Sequence, residues 1–303
     1  MAHEHQLNWR DATSKSSSDW KIKITTTTND RTATYHVHKA VLAHGPRRSE
    51  FFAEIFQNDY MANAMNTKSS FQLDSHAARA FPALLDYIYG EDLKIDTNNA
   101  TALHYLSELL GMNQLKIDSL QFCQTNMSLE NLHIYYVLAK LLNDAQVKNL
   151  VTVFLKMNMH HVRPDHPIVE ESDPQLWIDA LAIQGHAETR IEDTRQLSKV
   201  IAKICLISMT LDTETFERLV DPLACIDSSV ALDLCQLADH LYPKDLDYIL
   251  SGHLLLMKRC VEALSKDPNF LRELDQHEMH ILMQRSPQFL VNLSLETVAG
   301  YRD

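Results

Sequence analysis

Sixteen histidines, five cysteines and forty carboxylates supply the raw material for metal or acid–base chemistry in this 303-residue chain. Their spacing does not. His277-Glu278-Met279-His280 comes nearest to a zinc-protease helix. That chemistry needs two histidines four residues apart, with Glu directly after the first, so that one helical face presents both ligands. Here the histidines are three apart. His160, His161 and His166 stand beside acidic residues, but in a stretch that reads as a solvated loop, whereas a zinc site ordinarily takes four regularly spaced ligands. His36 and His38 share one face of an alternating segment. The six glycines, at positions 45, 90, 111, 185, 252 and 300, lie far apart. A phosphate-cradling loop needs clustered glycines so that backbone N–H groups can approach the anion, so nucleotide binding of that kind is excluded. No G-x-S-x-G nucleophile elbow occurs. No catalytic residue, metal site or cofactor is expected, and the chain is not expected to be an enzyme.

The five cysteines, Cys123, Cys205, Cys225, Cys235 and Cys260, are odd in number and widely spaced. That pattern suits reduced core thiols in a cytoplasmic or nuclear protein better than a disulfide framework. The net charge of −12 opposes broad nucleic-acid binding, which needs a basic face to displace counterions. Residues 1–18 are polar and lack the apolar stretch of a secretion signal; residues 1–17 are expected to form a disordered tail. The most apolar window, residues 200–211, carries Lys203 and falls short of the roughly 18 apolar residues of a membrane span. Neither direct nucleic-acid contact nor a membrane partner is expected.

The elements that would position any functional side chain begin near Trp20. Ser18-Asp19-Trp20 and the following KIKITTTT read as a strand with Ile22 and Ile24 on one face, and Thr32 to Val37 alternates as a second half-buried strand. This second strand runs into a short apolar helix, Ala40-Val41-Leu42-Ala43. Gly45-Pro46 interrupts it, and another helix buries Phe51, Phe52, Ile55 and Phe56. Residues 69–73 form a further short strand. Residues 76–89 form a helix burying Ala80, Phe81, Leu84, Leu85 and Ile88, and residues 98–110 and 114–126 add a closing helix pair.

This order, together with HKAVLA at residues 38–43, resembles the BTB/POZ domain over residues 18–126. FPALLDYIYGEDLKI at residues 81–95 is similar to the family's stretch that ends in a short strand after a Tyr-Gly turn. The resemblance implies an α+β fold, with a small mixed sheet flanked by helices, and a role in protein–protein interaction. In similar proteins two copies pair through the first helix and the amino-terminal segment. The positions matching that dimer interface are Asp19, His38, Lys39, Val41, Leu42 and Ala43, with Val41 and Leu42 as the apolar patch and Asp19 and Lys39 at a charged pocket beneath it. The internal core is the other destination for these aliphatic residues, and for Ala43 an equally good one. A second family surface docks a cullin scaffold of a ubiquitin ligase. Here it would comprise Phe56, Tyr60, Met61, Asn63, Tyr105 and Leu109. Many cullin-binding members place Glu where this chain has Asn63, and the missing carboxylate argues against an adaptor.

Behind this domain the pattern is helical and repeats. Leu132, Tyr135, Tyr136, Ala139 and Leu142 form an i, i+3, i+4, i+7 stripe. Ninety-nine positions on stand Ala231, Leu234, Cys235, Ala238 and Leu241. A second helix, Val147, Leu150, Val151, Leu155 and Asn158, corresponds to Leu246, Ile249, Leu250, Leu254 and Met257. Ser128 and Asp227 are the expected N-caps. Residues 127–303 are thus expected to be an all-α helical-repeat region, interrupted by an exposed loop at 163–174 that holds three prolines and four acidic residues. Helices resume with Trp177, Ile178 and Leu181 on one side and continue over 195–209, 213–220 and within 267–298. Its opening helix pair resembles the BACK extension that follows BTB domains. The resemblance therefore implies a homodimeric adaptor whose helical half captures a protein substrate for ubiquitination. The alternative is a dimeric scaffold or transcriptional co-regulator that binds no cullin.

Overall fold

In the computed structural model, residues 7–10, 17–28, 30–61, 66–182, 193–209, 211–241 and 251–267 are described, residues 251–254 by backbone alone. Contacts divide the chain into two compact units, the first ending at Val151 and the second beginning at Thr152.

The first unit is built on a three-stranded sheet in the order β2-β1-β3. Strand β1 (Trp20–Thr26) pairs antiparallel with β2 (Thr32–Val37), setting Trp20 opposite Val37. It pairs parallel with β3 (Lys68–Leu73), setting Ile22 opposite Ser69. Asp30, with φ 50°, takes the left-handed conformation that Asp tolerates in the tight connection of the hairpin. Trp20, Ile22 and Ile24 are buried while Lys21 and Lys23 are exposed, the two-residue alternation of a sheet with one solvated face.

Helix α1 (Lys39–His44) leaves β2 at once. A Cβ on Gly45 would stand 2.6 Å from the Val41 carbonyl oxygen, so only glycine lets the chain turn that closely over α1. Helix α2 (Glu50–Met61) buries Phe52 and half-buries Phe51, Ile55 and Phe56. After β3, α3 (Ser75–Ile88) lays Ala77, Ala80, Phe81, Leu84, Leu85 and Ile88 into the core, and the Asp74 carboxylate caps it by accepting from His76 N. Helices α4 (Ala100–Leu109) and α5 (Asn113–Asn126) pack on each other. Residues 91–96 form no strand. Leu93 and Ile95 pack against the core, but their backbone finds no ladder: the Lys94 carbonyl accepts from the Asn99 side chain instead.

The helical stripe is as the sequence requires. All five of its members in α6 (Leu132–Leu141) and just after it are buried. The next helix, α7 (Ala145–Asn158), carries the division between the two units. In the second unit, α8 (Pro167–Glu171) falls inside the stretch expected to be an exposed loop. Pro167 suits the first helical position because its missing N–H has no partner to lose there. The His166 ring accepts from Ile168 N, and Ile168 and Val169 are buried. Two apolar residues thus outweigh the acidic, proline-rich composition around them. Helices α9 (Pro174–Ala182), α10 (Arg195–Ile207), α11 (Thr213–Val220), α12 (Ser228–Leu241) and α13 (Ser251–Ser265) follow among the described residues of this unit. Trp177, Val200, Ile201, Ile204, Phe216 and Leu219 lie in its interior. The α12 counterparts Ala231, Leu234, Cys235 and Ala238 are buried and Leu241 is half-buried. Of the second repeat, Leu246, Ile249 and Leu250, and the side chain of Leu254, lie outside the described residues; Met257 is buried. His277–His280 and the helices expected within 267–298 also fall outside them.

Candidate interaction surfaces

The start of α1 is held from below. Its first N–H, that of Lys39, donates to Asp19 Oδ1 at 2.8 Å, which satisfies a helix-end donor and places negative charge at the positive end of the helix. The Lys39 ammonium lies over the rings of Trp20 and Phe56, 4.6 and 5.2 Å from their centroids. The backbone takes the carboxylate, and the aromatic faces take the cation.

His38 is not a surface residue. It is 5% exposed, its backbone N–H donates to Tyr89 Oη, and its Nδ1 lies 2.9 Å from the same hydroxyl. On the other side of the ring, Nε2 lies 3.3 Å from Ser17 Oγ, so the imidazole bridges Tyr89 and Ser17. Burial, partly offset by the His38 N–H, pushes the Tyr89 phenol up to about 12, so it remains a donor. Leu42 and Ala43 are also buried in the domain's own core. What α1 leaves for a partner is Lys39 and Val41, both half-exposed, and Ala40 and His44, which are exposed.

The second expected surface divides in two. Tyr60 is 82% exposed and Met61 77% exposed at the carboxyl end of α2. Phe56 is half-buried, edge-on to Trp20 at 4.9 Å and stacked on Phe52 at 5.8 Å. Tyr105 packs against the core, and Leu109 is exposed. The end of α4 meets the opposite end of α2, where Phe51 N donates to Leu110 O and Ser49 Oγ donates to the same carbonyl. There Gly111, at φ +63°, leaves no room for a Cβ against Glu50. At 1.5 Å per residue, Tyr60 and Met61 lie about 15 Å along α2 from that junction. Asn63 lies outside the described residues.

Two arrangements went unanticipated. His104 and Asp144, both buried, form a pair in which Nδ1–H donates to Oδ2 at 2.5 Å. Asp144 Oδ1 also accepts from the backbone N–H groups of Gln146 and Val147, capping α7. A histidine inside the apolar run of α4, and an Asp following Asn143 (φ 54°) ahead of the Val147 stripe, were the available signals. The second lies in the segment expected to be a disordered tail, where Trp9 and Arg10 are fastened to Asp86 of α3. A tryptophan within a polar stretch was the clue.

His166 caps α8, and the exposed His160 and His161 lie ring against ring at 3.8 Å. Among the described residues no helix is long and apolar enough to cross a membrane. None of the five cysteines is in a disulfide; four are buried and Cys225 is exposed. Burial pushes the thiols of Cys123 and Cys205 up to about 12, which suits inert core positions.

No curated protein matches the chain. A family model described as BTB/POZ domain matches residues 12–127, the stretch holding the mixed sheet and helices α1 to α5 in the expected order. BTB/POZ is a protein-interaction family and not a catalytic one, which supports reading this part of the chain as a protein-interaction module. Residues 12–127 of this chain form a BTB/POZ domain.

Proposed function

We propose that the chain is a homodimeric substrate adaptor for a cullin–RING ubiquitin ligase. The BTB/POZ domain self-associates through the exposed side of α1 and binds a cullin through the end of α2. The helical region from residue 127, read as BACK-like, captures the protein substrate, and partners supply the ligase chemistry. The observation that carries this reading is the exposure of Tyr60 and Met61 side by side on an interaction domain. Large exposed apolar side chains at one spot mark partner sites, and aromatic anchors dominate interface energetics.

Asn63 favours a second reading, a dimeric scaffold or transcriptional co-regulator without cullin contact. A carboxylate there would contribute a charge-assisted hydrogen bond of about 1.5–3 kcal/mol, which Asn63 does not supply in full. Binding of the full chain to immobilised cullin amino-terminal domains separates the two. The adaptor reading predicts binding that falls at least about tenfold in the Tyr60→Ala/Met61→Ala variant, the loss expected of a central anchor. No binding by the native chain, and none gained by Asn63→Glu, would end it.

A further inference from the structure

The acceptor side of the amino-terminal contact is a notch on the BTB/POZ domain made by Tyr35 of β2 with Phe81 and Asp86 of α3. Every side-chain donor to Asp86 among the described residues comes from one dipeptide. Trp9 Nε1 and Arg10 Nε both donate to Oδ1 at 2.9 Å, and Arg10 Nη2 donates to Oδ2 at 2.6 Å. The Trp9 ring meets Tyr35 edge-on at 5.5 Å, and Tyr35 leans on Phe81 at 5.4 Å. The Arg10 guanidinium lies over the Trp9 ring, 4.2 Å from its centroid. Asn8 sets up this geometry, because its Oδ1 accepts from Arg10 N at 2.8 Å in a local side-chain turn.

Trp9 and Tyr35 pack against the edge of the core there, yet three features mark the notch as a receptor. The family match begins at residue 12, after the dipeptide. Among the described residues no backbone hydrogen bond ties residues 7–10 to the domain, so recognition rests on side chains that another chain could present equally well. The Arg10 side chain remains 54% exposed, which makes its pairing exchangeable with solvent. The chemistry recognised is specific: a two-pronged guanidinium on a carboxylate, an indole N–H on the same carboxylate, and an aromatic ring against Tyr35.

We propose that this notch is a docking site for a partner protein segment in which an aromatic residue is followed by arginine, and that Trp9–Arg10 occupies it in cis. A short tether holds its ligand at an effective concentration on the order of millimolar, so a free segment competes poorly until the tether's own dipeptide is displaced. The proposal does not depend on cullin binding.

The test uses the full-length chain and a dye-labelled synthetic peptide, HQLNWRDA, spanning residues 5–12, read by fluorescence anisotropy. The Trp9→Ala/Arg10→Ala chain should bind the peptide at least about tenfold more tightly than the native chain, since the competing tether is gone. Adding Asp86→Ala, or the near-isosteric Asp86→Asn, to that variant should abolish binding, as should replacing Trp and Arg by Ala in the peptide. Thermal melts confirm that each variant is folded. Equal binding by the native and Trp9→Ala/Arg10→Ala chains, or binding that survives loss of Asp86, would overturn the proposal. So would self-association that disappears in Trp9→Ala/Arg10→Ala while the peptide still fails to bind, a result that assigns the notch to a second copy.

Discussion

Asp144 and Asp86 are two carboxylates of the same unit, each held by at least one side chain far away in sequence, and they do opposite work. Asp144 is buried, and its partners are the ring of His104 and the first N–H groups of α7. Removing any of these leaves a polar group with no water to replace it, a cost that falls on the fold. The Asp86 side chain is 25% exposed and its partner Arg10 54% exposed. Solvent can replace that partner cheaply, so the same acid–base chemistry acts there as recognition. Burial, not residue type, decides whether such a pair is structural or exchangeable.

The comparison is broken most severely at Asp144. Asp144→Ala removes both the imidazole's partner and the cap of α7, and should destabilise the protein by about 3–5 kcal/mol in denaturant unfolding. Asp144→Asn, which keeps a capping oxygen, should cost less. Tyr89→Phe comes next. It leaves the His38 N–H and Nδ1 buried without their partner, at about 1–3 kcal/mol by the same measurement. Asp74→Ala removes the cap of α3 and should cost about 1 kcal/mol at neutral pH.

That last effect carries a pH signature. Partial burial pushes the Asp74 carboxyl up, but the His76 backbone and ring and the Ser75 N–H outweigh it and hold the carboxyl below its ordinary value. A depressed folded value gives stability that is complete above the unfolded carboxylate range and is lost as pH falls through the folded value. The melting-temperature gap between the native chain and Asp74→Ala should therefore narrow as the solution is acidified below about pH 4. The smallest effect belongs to Asp86→Ala, which should change stability by less than about 1 kcal/mol, as expected of a solvent-exposed pair. A loss comparable to that of Asp144→Ala would erase the distinction between the two sites.

The sequence made the repeating parts of the fold legible. The alternation of Trp20, Ile22 and Ile24 and the stripes of α3 and α6 follow from periods of two and 3.6 residues, which a chain must keep if one face is to be dry. What it hid were single contacts between distant residues. Nothing local ties His104 to Asp144 or Trp9 to Asp86, because such partners meet only once the helices have packed. The loop expected at 163–174 failed for a related reason. Two buried residues, Ile168 and Val169, suffice for a turn of helix that composition averaged over twelve positions obscures. On α1 the residue types pointed to a surface, but only the packing shows that Leu42, Ala43 and His38 turn inward while Lys39, Ala40 and Val41 remain available.

The central claim, that this is a self-associating interaction module working through the open side of α1, is tested most directly by sedimentation equilibrium of the full chain at micromolar concentration. The native chain should sediment at twice the chain mass, and Ala40→Arg, which sets a bulky cation at an exposed position and spares the core, should sediment as a folded monomer. A native chain that stays monomeric, or a dimer indifferent to Ala40→Arg, would contradict it.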